Sequence, residues 1–434
     1  MKIELPDEVR YILDKLKDRG YKGYAVGGCV RDSIMGRHPY DWDLTTDATP
    51  YEVMEIFHGC TIIPSGIKHG TVTIMLNKKH FEITTFRVEG KYSDYRRPDC
   101  VRYSQSIEED LSRRDFTINA MAYNEYDGLI DIFGGIFDIE NKLIRCVGDP
   151  LLRFGEDGLR MMRAVRFSSQ LDFKIEKHTL NAISSECHLI SHVSPERIKD
   201  ELNRTLLSDN FVGITYLLST KLLLYVISDR FRKYINWDYC LRSDICILAA
   251  KSFENMYGNL DLRLSFFLKF ILKPDIIEDE NQGCDMAWVS EDILKSLRYD
   301  SKTISNVKRL ISYSDSIIQE NKPSIKKLLK DIGPCDFKRL LALKGSLAPL
   351  GCRGSLSEDR LKNISAMYKD IIENNECYKL SSLALNGEDL KRLGVKQGRE
   401  IGKVLSRLLD AVIENPQLNS REELIKYTKR GHTI

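Results

Sequence analysis

Residues 26–46 read VGGCVRDSIMGRHPYDWDLTT and decide how the rest of the chain is interpreted. A short strand ending at position 26 runs into Gly27 and Gly28, and a helical segment follows that ends near Gly36. Glycines at such a corner let a phosphate approach the backbone, and the start of the next helix offers free N–H groups to it. Glycine pairs also form plain turns, so the corner alone is a weak indication of phosphate binding.

Two aspartates, Asp41 and Asp43, follow the corner and are separated only by Trp42. Residues i and i+2 of a strand project from the same face, so we expect both carboxylates to point at one spot. Two like charges held together are costly unless a cation lies between them. Oxygen ligands of this kind suit Mg²⁺, which commonly bridges to substrate phosphates. The alternative is an aspartate-rich surface turn, but the glycine corner upstream favours a magnesium site.

Glu82 is a candidate for a third acidic group in the same site. It lies in HFEITTFRV at 80–88, a β-branched run, on the same predicted strand face as Thr84 and Phe86. A glutamate in a strand is often merely solvent-facing. A pair of metal ions that clamps an in-line phosphoryl displacement would nevertheless use such a group.

The bulk composition is that of an ordinary globular chain with several domains. Its 434 residues are too many for one compact core. The formal net charge of +2 does not by itself indicate a nucleic-acid binder. The 11 cysteines are odd in number and form no C-x-x-C pair, and we see no signal segment. We therefore expect a reduced, cytoplasmic protein without a disulfide framework or a zinc site.

The chain changes texture along its length. Strand signals dominate the first 140 or so residues, and helical periodicity dominates from about Glu156 onward, including EDGLRMMRAVRFSSQL. Ser194 and Pro195 predict a helix start with a capping hydroxyl. The most apolar stretch, 211–229, is broken by polar residues and predicts a buried helix, not a membrane span.

A cluster of lysines near the middle of the helical part allows two interpretations. It comprises Lys322, Lys326, Lys327 and Lys330. Such a cluster is either a solvated helix face or a surface that follows nucleic-acid phosphates.

At this point the residues resemble a known family, the class II tRNA CCA-adding enzymes and bacterial poly(A) polymerases. The glycine corner with Arg31 and Asp32, followed by Asp41-x-Asp43, is similar to the family's nucleotidyltransferase head. Further blocks agree in order: RRDFTINAMA at 113–122, DIFGGIFDI at 131–139, GEDGLRMMRAVRF at 155–167, SPERIKDEL at 194–202, and LNGEDLKRLGVKQGREIGKVLSRLL at 385–409.

The resemblance implies an α+β fold. A polymerase-β-like nucleotidyltransferase head with a mixed sheet would occupy 1–140. All-α parts would follow: a base-selecting neck at 141–210, a body at 211–330 and a tRNA-binding tail at 331–434.

The resemblance also implies a role for each matching residue. Asp41 and Asp43 would hold the metal ions, with Glu82 as the further catalytic acid. The implied nucleotide-binding residues are Gly28 and Arg31 at the incoming nucleotide, Arg114 and Asp115 near its ribose, Asp157 and Arg160 at its base, and Arg163 and Arg166 as further contacts.

The base-reading pair is chemically reasonable. Asp157 and Arg160 are spaced i, i+3 and are expected on one helix face. A carboxylate accepts from an exocyclic amine while a guanidinium donates to a neighbouring acceptor, and cytosine and adenine share that edge. Gly158 departs from the family pattern, and we expect it to cost the selecting helix roughly 1 kcal/mol.

In the tail, Lys396, Arg399 and Lys403 are interleaved with Gly394, Gly398 and Gly402. This pattern suits a backbone that grips RNA phosphates at a helix start, and the three basic residues are the predicted tRNA-binding residues. The alternative is a helix whose small residues allow close packing.

The activity implied is template-independent addition of CCA to the 3′ end of tRNA, with CTP, ATP and Mg²⁺. A complete loop at 87–103 argues against an enzyme restricted to C addition. Three alternatives remain: an A-adding enzyme that works with a CC-adding partner, a poly(A) polymerase, and an inactive RNA-binding module. The sequence does not indicate the oligomeric state.

Overall fold

The computed structural model describes residues 2–64, 66–89, 101–254, 256, 258–272 and 286–431. The chain forms two compact units. The first comprises Met1–Lys233 with Ser296–Arg298, and the second comprises Tyr234–Lys295 with Tyr299–Ile434. The predicted glycine corner and all the predicted catalytic and nucleotide-binding residues belong to the first unit, whereas the predicted tRNA-binding residues belong to the second.

The strands of the chain all lie in the first unit, among the residues described. They are β1 Gly23–Val26, β2 Asp43–Thr46, β3 Thr61–Ile63, β4 Thr71–Leu76, β5 Lys79–Thr85, β6 Arg87–Glu89, β7 Val101–Tyr103, β8 Ala122–Asn124, β9 Gly128–Ile130, β10 Leu143–Ile144 and β11 Lys174–Ile175. Seven of them form one sheet in the order β3-β4-β5-β2-β1-β8-β9. The β2–β5 pair is parallel and the other pairs in this sheet are antiparallel, so the predicted mixed sheet is confirmed.

Both faces of the seven-stranded sheet are covered. On β1, Ala25 joins a large apolar cluster on one side, whereas Tyr24 and Val26 join a smaller cluster on the other. All four residues of β1 are buried, as expected for a central strand packed on both faces. The residue that follows β1, Gly27, therefore emerges at the end of a rigid, fully buried strand.

Helices make up most of the remaining chain. Those of the first unit are α1 Asp7–Asp18, α2 Gly28–Ile34, α3 Pro50–Ile56, α4 Ile107–Ser112, α5 Gly135–Glu140, α6 Pro150–Glu156, α7 Leu159–Leu171, α8 Lys177–Glu186, α9 Pro195–Leu206, α10 Val212–Ser219 and α11 Leu223–Val226. Those of the second are α12 Trp237–Cys240, α13 Ser243–Glu254, α14 Leu260–Ile271, α15 Met286–Ser296, α16 Ser301–Ser314, α17 Lys322–Leu347, α18 Glu358–Glu373, α19 Gly387–Arg392, α20 Arg399–Glu414 and α21 Arg421–Gly431.

Some helix boundaries differ from those predicted. The apolar stretch 211–229 forms two helices, α10 and α11, because Lys221 takes a left-handed conformation (φ 60°) between them. Pro195 begins α9 as expected, but the Ser194 hydroxyl makes no capping hydrogen bond. The predicted neck is helical except for β10 and β11, which pair in parallel over two residues each.

The lysine cluster of α17 forms ion pairs, and three of its side chains, those of Lys322, Lys327 and Lys330, remain partly exposed as on a solvated helix face. Its four ammonium groups pair with carboxylates of other segments: Lys322 with Asp370 and Glu376, Lys326 with Glu376, Lys327 with Glu414, and Lys330 with Asp410. These ion pairs tie α17 to α20 and to the region at the end of α18. Their charges are therefore neutralised within the second unit.

Gly158 is required by a close approach of two segments. It lies just before α7, and a Cβ atom added to it would come within 2.9 Å of the Leu189 carbonyl oxygen. The prediction that Gly158 lowers the stability of the selecting helix was therefore wrong. Gly158 precedes the helix and packs against the backbone at Leu189.

We expect Gly158→Ala to destabilise the protein by about 1–3 kcal/mol, since backbone yields less readily than a side chain. The matched control is Gly155→Ala in α6, where an added Cβ would meet no atom within 4 Å. That change should be neutral or stabilising by up to about 1 kcal/mol. Urea denaturation of both variants measures the difference, and equal midpoints would contradict the close approach.

The four-part division into head, neck, body and tail stays a prediction. Among the described residues, no helix is both long and apolar enough to cross a membrane.

Candidate active site

The acidic part of the site is built on two adjacent parallel strands. Asp43 begins β2, and its register partner on β5 is Glu82. Register partners on neighbouring parallel strands project from the same side of the sheet, so the structure brings these two carboxylates together. Asp41 lies two residues before Asp43 but precedes the strand. The expectation that both aspartates lie in one strand was wrong, because β2 begins only at Asp43.

The carboxylates affect one another electrostatically. Removal from water raises the pKa of Asp43, and the charge of Asp41 adds to this effect, whereas Arg114 opposes it. Desolvation and then the charges of Asp43 and Asp41 raise the pKa of Glu82. Carboxylates that resist ionisation because they are removed from water and lie near other carboxylates are suited to a cation.

The donor set fits a hard divalent cation. Carboxylate oxygens on a fixed strand pair are ligands that Mg²⁺ accepts, and Mg²⁺ commonly completes its octahedron with water and substrate phosphates. Among the described residues, no three acidic, histidine or cysteine side chains form a complete metal-binding group.

The glycine corner lies beside Arg114. Gly27 has φ 84°, a conformation that favours glycine, and a Cβ added to it would come within 3.2 Å of Arg114 Nη1. The guanidinium of Arg114 donates from Nη2 to Asp110 Oδ2 at 3.1 Å. Arg114, one of the residues predicted to lie near the ribose, therefore borders the glycine corner. Its charge also opposes the rise in the pKa of Asp43.

Asp110 is a buried carboxylate that the sequence reasoning missed. Burial would raise its pKa, but the charges of Arg114 and Arg113 outweigh this effect and lower it. Asp110 Oδ1 also accepts from Arg113 Nη2 at 2.8 Å. Its role could have been predicted from the spacing, because Arg113 and Arg114 follow Asp110 by three and four positions in a helix-forming run.

Arg31 is fixed on α2 by neighbours from two segments. It donates from Nε and Nη2 to Asp32 Oδ1 at 2.9 and 2.8 Å, and from Nη1 to Asn119 Oδ1 at 2.6 Å. An added Cβ at Gly28 would lie 3.6 Å from Arg31 Nη2, so this arginine borders the same corner.

Asp115 does not face open solvent. It is buried, and its Oδ2 accepts from Arg163 Nε at 2.7 Å while its Oδ1 accepts from the Phe116 N–H at 2.9 Å. Burial opposes ionisation, but the charge and hydrogen bond of Arg163 prevail and lower the pKa of Asp115 to about 2. The Asp115 carboxylate and the Arg163 guanidinium therefore hold one another in place.

The predicted base-reading pair sits at a break between two helices. Asp157 follows α6, caps the Leu159 N–H at 3.0 Å, and accepts from both Nη atoms of Arg197 at 2.7 and 3.3 Å. Arg160 lies in the first turn of α7. The expectation that the pair shares one helix face was wrong, because the helix that carries Arg160 begins after Asp157.

Arg160 has its own set of partners. Its Nη1 donates to Glu156 Oε2 at 2.7 Å and its Nη2 donates to the Arg113 carbonyl at 3.0 Å. Each member of the pair is thus held by a different residue, Asp157 by Arg197 and Arg160 by Glu156. Sequence reasoning singled out neither Arg197 nor Glu156, although both lie inside the matched blocks.

Arg166 is buried, and its Nε lies 3.0 Å from Glu201 Oε2 on α9 without forming a hydrogen bond to it. Burial lowers the pKa of Arg166 to about 10. Its predicted contact with the nucleotide stays a prediction, as do the other assigned roles.

The predicted tRNA-binding residues surround the start of α20 in the second unit. Lys396, Arg399 and Lys403 are exposed, and none of them forms an ion pair with any residue that the structure describes. Gly394 and Gly398 have φ of 90° and 103°. An added Cβ at either of them, or at Gly402, would meet no atom within 4 Å, so close packing does not account for these glycines.

A mixed sheet that presents acidic residues beside a glycine corner, with arginines from the following helices, defines a nucleotidyltransferase. Residues 23–145 match the family model for the poly A polymerase head domain, and residues 172–230 match that for the probable RNA and SrmB-binding site of polymerase A. The chain belongs to the family of CCA-adding enzymes.

The family assignment rests on similarity over nearly the whole chain. The CCA-adding enzyme of Ligilactobacillus salivarius is 33% identical over 98% of this chain and 97% of its own. That of Pediococcus pentosaceus is 34% identical over 96% of both chains. The crystal structure of the Bacillus stearothermophilus CCA-adding enzyme in complex with CTP superposes with a TM-score of 0.71 at 28% identity, covering 98% of this chain and 97% of that one. Enzymes of this family depend on a metal ion.

Proposed function

We propose that this protein adds C, C and A to the 3′ end of tRNA, using CTP and ATP and releasing pyrophosphate. The observation that carries the proposal is the register pairing of Asp43 with Glu82 beside the Gly27 corner. The names of the full-length relatives support CCA addition as the specific reaction. We further propose that the enzyme acts in the cytoplasm.

The head residues hold the two reactants in line. Backbone at Gly27 and Gly28 admits the triphosphate, while Arg31 and Arg114 supply positive charge beside it. Asp41 and Asp43 would hold Mg²⁺, which when bound neutralises charge that develops on the reacting phosphate. Glu82, the register partner of Asp43, would be the further acidic group beside them. The 3′-hydroxyl of tRNA then attacks the α-phosphate.

The neck residues select the nucleotide. The Asp157 carboxylate and the Arg160 guanidinium present an acceptor and a donor to the edge that cytosine and adenine share. Arg197 and Glu156 hydrogen-bond to these two groups and hold them in place. A selecting pair of this kind needs no nucleic-acid template.

An A-adding enzyme with a separate CC-adding partner is the second candidate. A complete loop at 87–103 argues against a C-only enzyme but not against an A-adding one, and residues 90–100 lie outside the described residues. The intact acidic pair, glycine corner and Arg160 network argue against an inactive RNA-binding module.

One incorporation assay distinguishes these functions. Purified protein is supplied with tRNA ending at the discriminator base, at C or at CC, and with CTP or ATP separately and together. CCA addition requires CMP incorporation on the first two substrates and AMP on the third. Incorporation of AMP only, on the CC-ending tRNA, would identify an A-adding enzyme, and long A tails would identify a poly(A) polymerase.

The tail prediction concerns how binding responds to salt. Replacing Lys396, Arg399 and Lys403 by Ala should weaken tRNA binding, because unpaired exposed cations release counterions from phosphates. Each lost phosphate contact should reduce the slope of log K against log salt by roughly one. Filter binding between low and moderate salt measures it.

The control for the tail variant is the pair Lys362→Ala and Lys426→Ala. These exposed lysines are already paired within their helices with Glu358 and Glu423. Their replacement should leave the slope unchanged. An equal change in both variants would show that general charge, not the start of α20, governs binding.

A further inference from the structure

Phe167, on α7, lies at the centre of three predicted nucleotide-binding arginines. The guanidinium carbons of Arg166, Arg31 and Arg163 lie 4.3, 5.2 and 5.4 Å from the centroid of its ring. The ring is 6% exposed. Cations this close to an aromatic face are attracted by its quadrupole, and the attraction strengthens when water is excluded.

The arginines come from two helices, Arg163 and Arg166 from α7 and Arg31 from α2. Arg163 is one helical turn before Phe167 on α7, where an i, i+4 spacing places side chains on one face. Arg31 comes from α2, which follows the glycine corner. The ring therefore joins the helix of the phosphate corner to the helix that begins at the base-reading residues.

Arg31 and Arg163 are also each oriented by a hydrogen-bonded carboxylate, and Arg166 lies near a third carboxylate. Arg31 bonds Asp32, Arg163 bonds Asp115, and Arg166 lies against Glu201. The hydrogen-bonded carboxylates fix one edge of the Arg31 and Arg163 guanidinium groups, and the ring lies close to all three arginines. Of the five N–H groups of Arg31, three are committed to Asp32 and Asn119, which leaves two for a ligand. The Arg163 side chain retains 33% exposure, so a ligand can reach it.

Simple core filling does not account for this arrangement. Three like charges around one apolar ring repel one another, and an aliphatic side chain would fill the same volume without attracting them. Phe116 packs against the ring in a T-shaped arrangement, with centroids 5.9 Å apart and an interplanar angle of 83°. That contact helps to hold the orientation of the ring.

We propose that Phe167 is a positioning residue of the nucleotide site. Its ring holds Arg31, Arg163 and Arg166 so that their charges converge on the triphosphate of the incoming nucleotide. This inference rests on the proposed nucleotidyl transfer. It concerns nucleotide binding and not the metal chemistry or the grip on tRNA.

The test varies the ring's electron density while nearly preserving its shape. Position 167 is occupied in turn by phenylalanine and by its mono-, di- and trifluorinated analogues. KM for CTP and for ATP should rise stepwise, reaching roughly tenfold with the least electron-rich ring. KM for tRNA should remain constant, and kcat should change less than the nucleotide KM.

A conventional pair of variants provides the control. Phe167→Leu keeps an apolar side chain and removes the ring, and Phe57→Leu makes the same change at a fully buried phenylalanine elsewhere in the first unit. Only Phe167→Leu should raise the ratio of nucleotide KM to tRNA KM. Equal ratios in both variants, together with a flat fluorination series, would overturn the proposal.

Binding of CTP without tRNA separates this inference from the proposed function. Equilibrium dialysis of the wild-type protein and the fluorinated series measures nucleotide affinity with no turnover. If the wild type binds CTP but extends no tRNA, the proposed function fails while the affinity series still decides the role of Phe167. A constant CTP affinity across the series would overturn that role even in a fully active enzyme.

Discussion

Asp43→Asn should abolish nucleotide incorporation while leaving tRNA binding nearly intact. The carboxylate lies beside Glu82 at the start of β2, where it would hold a cation and not RNA. Loss of metal-assisted charge stabilisation in the transition state costs several kcal/mol, so we expect incorporation to fall by roughly a thousandfold or more. Single-turnover incorporation at saturating CTP, alongside filter binding of tRNA, measures both effects.

The same substitution should not harm the fold in the absence of divalent cations. The pKa of Asp43 is higher in the folded protein than in the unfolded protein. The free energy of unfolding therefore falls as the pH rises from the unfolded-state pKa to the folded-state pKa of Asp43. Above the folded-state pKa this loss of stability is complete. Asn at this position removes it, and we expect the variant to have an equal or higher melting temperature than the wild type at neutral pH with EDTA.

Magnesium provides the internal control for this prediction. A cation that binds only the folded protein raises its melting temperature in proportion to the logarithm of its concentration. The wild type should gain stability as MgCl₂ is added, and Asp43→Asn should gain less. Asp7→Asn, at a 97% exposed side chain on α1, should behave as the wild type in every assay. Near-normal turnover by Asp43→Asn with Mg²⁺ would refute the metal assignment.

The sequence was most informative where chemistry is concentrated in short blocks. The glycine corner, the strand at 79–85 and the class of fold follow from local patterns, because strand alternation and glycine conformations are local properties. The pairing of Asp43 with Glu82 could be predicted only with knowledge of the order of the strands in the sheet. Thirty-nine positions separate these residues, and no local pattern shows that β5 crosses over to lie beside β2.

Partners of buried charges were the least predictable part of the site. Asp157 was expected to share a helix with Arg160, but a helix break turns it towards Arg197, forty positions later. Likewise, the lysines of α17 resemble a nucleic-acid surface in sequence and are instead neutralised by carboxylates that tertiary structure brings to them. Charge patterns identify surfaces only when their partners are known.

Nucleotide choice is expected to fail when the base-reading pair is removed. Arg160→Ala should let UTP or GTP compete visibly with CTP and ATP, and overall turnover should also fall. A bidentate contact discriminates by roughly 1–3 kcal/mol, so the preference should decrease by about ten- to a hundredfold. Asp157→Ala should act similarly, since it removes the acceptor for the exocyclic amine. The measurement is kcat/KM for all four nucleotides on tRNA that lacks its 3′ end.

The network around the pair makes this experiment sharper. Arg197 holds both oxygens of Asp157, whereas Glu156 holds Arg160, so each support can be removed without touching the base-reading group. If the pair reads the base, Arg197→Met and Glu156→Gln should each reduce selectivity less than the direct variants, because the reading group is present but loosely held. If the pair only supports the break between α6 and α7, all four variants should lower kcat/KM equally for every nucleotide. Uniform losses would therefore refute base reading, whereas a graded loss of selectivity would assign it to Asp157 and Arg160.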